Sequence, residues 1–88
     1  MPQGNGKPSE SHVTIAFERP RPGWVILHVQ EATLGMDIAL HLHRAFTDWL
    51  ANNPGVRVRN VLPIVSNGQT VCLHIWHEGA ELHGPPMP

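Results

Sequence analysis

Seven histidines, three tryptophans and a lone cysteine are the residues of this 88-residue chain best equipped for chemistry. Their spacing decides what chemistry is open to them. His41 and His43 lie two apart in a helical pattern, so their side chains diverge and cannot chelate one ion. His74 and His77 lie three apart in a strand pattern and face opposite ways. No HExxH, no cysteine pair and no carboxylate at ligand spacing accompanies them. Only His28, His74 and Cys72 could converge across neighbouring strands on a metal. Half-buried, hydrogen-bonded histidines are the plainer reading, and no cofactor is expected. A nucleophile needs an adjacent base and an orienting group. Cys72 and His74 are the one candidate pair, yet residues i and i+2 on a strand stand about 7 Å apart with parallel side chains. With no glycine-rich phosphate loop, no GxSxG and no paired-carboxylate motif, the chain reads as non-enzymatic.

Composition narrows the partners. Lys and Arg number 6 against 7 Asp and Glu, a formal charge of −1, which suits neither a polybasic nucleic-acid wrapper nor an acidic tail. Hydrophobic residues make up 41%, enough for a core, but no apolar run is long enough to cross a membrane. No basic segment followed by an apolar stretch opens the chain, and the single cysteine excludes an internal disulfide framework. These features point to a cytosolic protein.

The elements that must position these side chains follow from periodicity. Residues 1–11 and 79–88 carry four and five Gly or Pro residues with few apolar ones. Both read as disordered tails around one domain over 12–78. Val13, Ile15 and Phe17 alternate with Thr14, Ala16 and Glu18, which predicts a half-buried strand. Arg19-Pro20-Arg21-Pro22-Gly23 breaks it, and a second strand runs from Trp24 to Gln30. Thr33 is the expected N-cap of a helix that ends near Asn53, before Pro54-Gly55. Its apolar stripe is Ile38, Leu42, Ala45, Phe46 and Trp49. Two last strands, 56–65 and 70–77, flank Asn67-Gly68, the strongest short hairpin signal because a type I′ turn needs positive φ twice.

Taking Asn67-Gly68 as a two-residue loop pairs Ile64 with Val71, Leu62 with Leu73, Pro63 with Cys72, Val61 with His74, Arg59 with Trp76 and Arg57 with Glu78. In that register the missing N–H of Pro63 points away from the fourth strand, which is tolerable only on an edge. The third strand is then an edge and the fourth lies inside, next to the first hairpin. The prediction is an α+β fold, ββαββ, with one antiparallel sheet in order 1-2-4-3 and the helix on one face.

One helix covers one face. The covered side is expected to hold Val13, Ile15, Phe17, Val25, Leu27, Val29, Leu62, Ile64, Val71, Leu73 and Ile75. The other collects Ala16, Trp24, Ile26, His28, Val61, Val65, Cys72, His74 and Trp76, unusually apolar and aromatic for a solvated sheet. The candidate interface is therefore Trp24, Ile26, His28, Val61, His74 and Trp76. Domains this small that lack disulfides and metals often self-associate, and a homodimer or other protein partner is expected on this face. A competing reading makes Trp24 and Trp76 a stacking platform for single-stranded nucleic acid, with Arg57 and Arg59 meeting phosphates. Against it stand the single lysine of the chain and the expected pairing of Arg59 with Trp76 and Arg57 with Glu78.

Overall fold

A computed structural model describes residues 12–33 and 35–82. The elements are β1 (Val13–Arg21), β2 (Trp24–Ala32), α1 (Ile38–Asn52), β3 (Arg57–Ser66) and β4 (Gln69–Glu78). The four strands form one antiparallel sheet in the order β1-β2-β4-β3, the α+β ββαββ arrangement that the sequence predicts. Both hairpin turns use the chemistry their residues imply. Gly23 has φ +83°, while Asn67 and Gly68 have φ +52° and +79°, the left-handed pair of a type I′ turn.

The core is Val25, Leu27 and Ile75 from the sheet, Leu42 and Trp49 from α1, and Val56 from the loop between them. Ile38, Ala45, Phe46 and Leu50 complete the helical stripe against it. The helix starts later than its first capping candidate. Asp37 is the N-cap, its carboxylate accepting from the Leu40 N–H at 3.1 Å, and the Gln69 side chain accepts from the Ile38 N–H at 3.2 Å. Two of the unpaired donors of the first turn are thereby satisfied. Thr33 instead closes the open end of the first hairpin, exchanging main-chain and hydroxyl bonds with His12.

The register of the second hairpin is the main departure from expectation. The pairing begins as predicted, Ser66 with Gln69 and Val65 with Thr70, but then shifts so that Ile64 meets Cys72, Pro63 meets Leu73, Leu62 meets His74 and Val61 meets Ile75. A second shift lies between Val58 and Asn60, and Arg57 ends opposite Glu78. Val71 and Arg59 are the residues left without a partner. Each bulge turns the strand by one residue, which exchanges its two faces over the stretch between them. Val61 is therefore on the helix side, packed against the core, and Leu62 and Ile64 are on the open side. Pro63 keeps its edge position although its partner differs.

The ordered core also extends past residue 78, the expected boundary. Glu81 accepts from both Nε and Nη2 of Arg19 in β1 at 2.9–3.1 Å, and also from the Trp49 indole N–H at 2.8 Å. The buried Asn53 side chain donates to the Trp49 carbonyl and accepts from the Leu82 N–H at 2.7 Å. Gly79, with φ +86°, passes so close to Gly55 that a Cβ there would collide with the Gly55 carbonyl. The segment 79–82 is thus a strap that binds the first strand to the end of the helix. Beneath it His77 is buried edge-on to Trp49, 5.3 Å between centroids, and neither ring nitrogen has a hydrogen-bond partner among the described residues. Residues 1–11 and 83–88, read from the sequence as tails, lie outside the described residues.

Burial pushes the Glu81 carboxyl up, but the Arg19 and Trp49 hydrogen bonds and the nearby Arg19 and His77 charges outweigh it and hold the group below the usual carboxylate range. A lowered folded pKa gives stability that is present above the ordinary carboxylate range and lost as pH falls through the folded value. Glu81→Gln should lower unfolding stability at neutral pH by about 2 kcal/mol, the worth of hydrogen bonds to a charged group. In urea titrations the gap from wild type should close as the pH drops below that range.

Candidate interaction surface

The side of the sheet that α1 does not cover is a grid of three rows, read across β1, β2, β4 and β3. Ala16, His28, Cys72 and Ile64 form one row; Glu18, Ile26, His74 and Leu62 form the next; Arg21, Trp24, Trp76 and Asn60 form the third. Strand alternation puts all of them on one side because every neighbour pair is in register there.

The centre of the grid is a cluster of three rings. Trp24 and Trp76 stack with centroids 5.9 Å apart and planes 14° from parallel, and His74 sits 5.8 Å from the first and 5.9 Å from the second. The Trp24 indole donates to His74 Nδ1 at 3.2 Å, which assigns the acceptor role to that nitrogen and leaves Nε2 to carry the ring proton in the neutral form. Around the rings lie Ile26, Leu62 and Ile64, the last two 49% and 39% exposed, so β3 contributes two large exposed apolar side chains to the patch.

Charges frame this patch and, except for Arg21, pair among themselves. His28 Nε2 and Glu18 Oε2 are 2.8 Å apart. At the opposite end Arg57 donates to Glu78 Oε1 at 2.7 Å, and Arg59, two residues further along the same face, contacts the other carboxylate oxygen. The Arg57 and Arg59 hydrogen bonds hold Glu78 below its ordinary range. The expected placement of Arg59 opposite Trp76 is thereby corrected. Asn60 occupies that position, and Arg59 is given over to the carboxylate.

Of the six residues predicted for the interface, the structure brings Trp24, Ile26, His28, His74 and Trp76 together and places Val61 on the other face. Leu62, Ile64 and Asn60 join them unforeseen, because neither bulged residue is a glycine and nothing in the sequence marks the shift. Glu18 was legible, two residues from the outward Ala16. His28 lies opposite Cys72, and His74 opposite Ile26, so the potential metal trio is spread over two rows. Among the described residues no three His, Cys, Asp or Glu side chains gather to hold an ion. Burial and then the Glu18 charge push the Cys72 thiol up, the reverse of what an activated nucleophile requires. Among the described residues no helix is long and apolar enough to cross a membrane.

No protein-family model, curated protein or solved structure matches the chain.

Two indoles held this close and nearly parallel should couple electronically. The far-ultraviolet circular dichroism of the wild type should carry an exciton couplet that Trp76→Phe removes while the helical signal persists. A spectrum unchanged by that substitution would contradict the stacking.

Proposed function

We propose that this protein is a small non-enzymatic interaction module of the cytosol that self-associates through the helix-free face of its sheet, forming a two-fold homodimer. The observation that carries this reading is the Trp24–His74–Trp76 cluster surrounded by Ile26, Leu62 and Ile64 on an uncovered surface. Contiguous exposed apolar area bordered by polar residues is the usual mark of an interface, and tryptophan is enriched among the residues that dominate binding energy.

Three further features support a second copy as the occupant. Glu18 pairs with His28 and Glu78 with two arginines, which leaves Arg21, opposite Trp24 on the edge strand β1, as the unpaired charge of the patch among the described residues, so the centre of the face can meet a like surface without repulsion. Edge-to-edge association is discouraged at both rims. Pro63 lies within β3, and β1 is bulged between Glu18 and Arg21, contains Pro20 and is followed by Pro22. A domain with a core of six buried apolar residues also gains proportionally more from burying a second face than a larger one would. The lone, free Cys72 suits a reducing compartment.

Light scattering behind a sizing column should give a mass near twice 9.8 kDa that holds across a concentration series. The double substitution Trp24→Ala and Trp76→Ala should shift it to the monomer mass with the helical circular dichroism retained. Loss of folding in the double variant would assign the rings to the core, and a wild-type monomer would leave the face open. In the second case an oligonucleotide titration decides the nucleic-acid reading, since binding through Arg57 and Arg59 would weaken steeply with added salt.

A further inference from the structure

On the helix side of the sheet the cover is incomplete. The helix α1 packs over β1, β2 and β4, but its Cα atoms stay more than 8 Å from those of β3. The bulged register brings Val61 and Pro63 onto that same side, at the margin that the helix covers only with the tips of its side chains. The result is a cleft of about 250 Å³ floored by Val61, Pro63 and Leu73 and walled by Leu42 and Phe46. Two of its lining side chains are polar, His43 from the exposed flank of α1 and Thr70 from β4. Neither has a hydrogen-bonding or ionic partner among the described residues. An apolar trough with two unspent donors and no acidic side chain in its lining suits a ligand with an apolar body and one anionic end.

We propose that the cleft between α1 and the β3–β4 hairpin binds a small aliphatic carboxylate, its chain on Val61, Pro63 and Leu73 and its carboxylate taking hydrogen bonds from the His43 ring and the Thr70 hydroxyl. A carboxylate fits these donors better than a neutral head group, because hydrogen bonds to an ionised acceptor are about twice as strong. The cleft lies on the opposite side of the sheet from the tryptophan cluster, so dimerisation through the open face leaves it accessible and neither proposal depends on the other.

The test is a titration of the isotope-labelled full chain with octanoate, followed by amide NMR, with octanol as the uncharged control. Shifts should concentrate between residues 39 and 46 of α1 and on the facing parts of β3 and β4. Octanoate should bind roughly tenfold more tightly than octanol, the worth of one charge-assisted hydrogen bond. Ala39, exposed at the mouth of the cleft, tolerates a larger side chain, and Ala39→Phe should abolish binding of both compounds. His43→Leu, also at an exposed position, should bring octanoate down to the affinity of octanol. Shifts centred on Trp24 and Trp76, equal affinities for the two compounds in the wild type, or undiminished binding by Ala39→Phe would each overturn the proposal.

Discussion

A fifteen-residue helix can shield one side of a four-stranded sheet and no more, and most of what is distinctive about this protein follows from that limit. On the shielded side the side chains do what side chains of a small core do. Val25, Leu27 and Ile75 meet Leu42 and Trp49, and the apolar stripe of α1 is spent on them. On the other side the strands still carry tryptophan, isoleucine and leucine at outward positions, where a solvated sheet would carry threonine, lysine or glutamate. Hydrophobic side chains in that position lower the free energy of the system only if something covers them.

Most charged groups of the strands are spent locally, with Arg21 beside Trp24 standing apart. Arg57 and Arg59 share Glu78, Glu18 meets His28, and Arg19 is bound to Glu81 through the strap. The surface consequently offers little long-range field to steer a charged partner, whereas an apolar centre with neutralised borders suits contact with a like surface. The strap matters for the same reason. By fixing Arg19 and Trp49 to one carboxylate it ties β1 to the end of α1 and closes that end of the core.

Much of the architecture was legible because local chemistry and long-range pattern agree. Asn67-Gly68 fixed a hairpin, Pro63 an edge, and the alternation in 13–18 and 24–30 the faces of the first two strands. What was not legible came from two places where one extra residue enters a ladder. Arg59 and Val71 have ordinary strand propensities, so neither announces a bulge, and together they carry Val61 inward and Leu62 and Ile64 outward. Glu81 was hidden for a different reason. It lies in a stretch, 79–88, in which five of ten residues are glycine or proline, and such a segment reads as a tail until three-dimensional proximity supplies Arg19 and Trp49 as partners for Glu81 and Asn53 for Leu82. Thr33 and Asp37 are both good capping residues, and the choice between them rests on where Gln69 returns to meet the helix start.

The central claim is that the face bearing Trp24, His74 and Trp76 is where two copies meet. The most direct measurement is an isotope-filtered nuclear Overhauser experiment on a mixture of labelled and unlabelled chains, which reports only contacts between molecules. The account predicts intermolecular signals joining the indole protons of Trp24 and Trp76 to the methyl groups of Ile26, Leu62 and Ile64. Intermolecular signals confined to the backbone of β1 or β3, or to α1, or none at all at concentrations where the chain is fully folded, would contradict it.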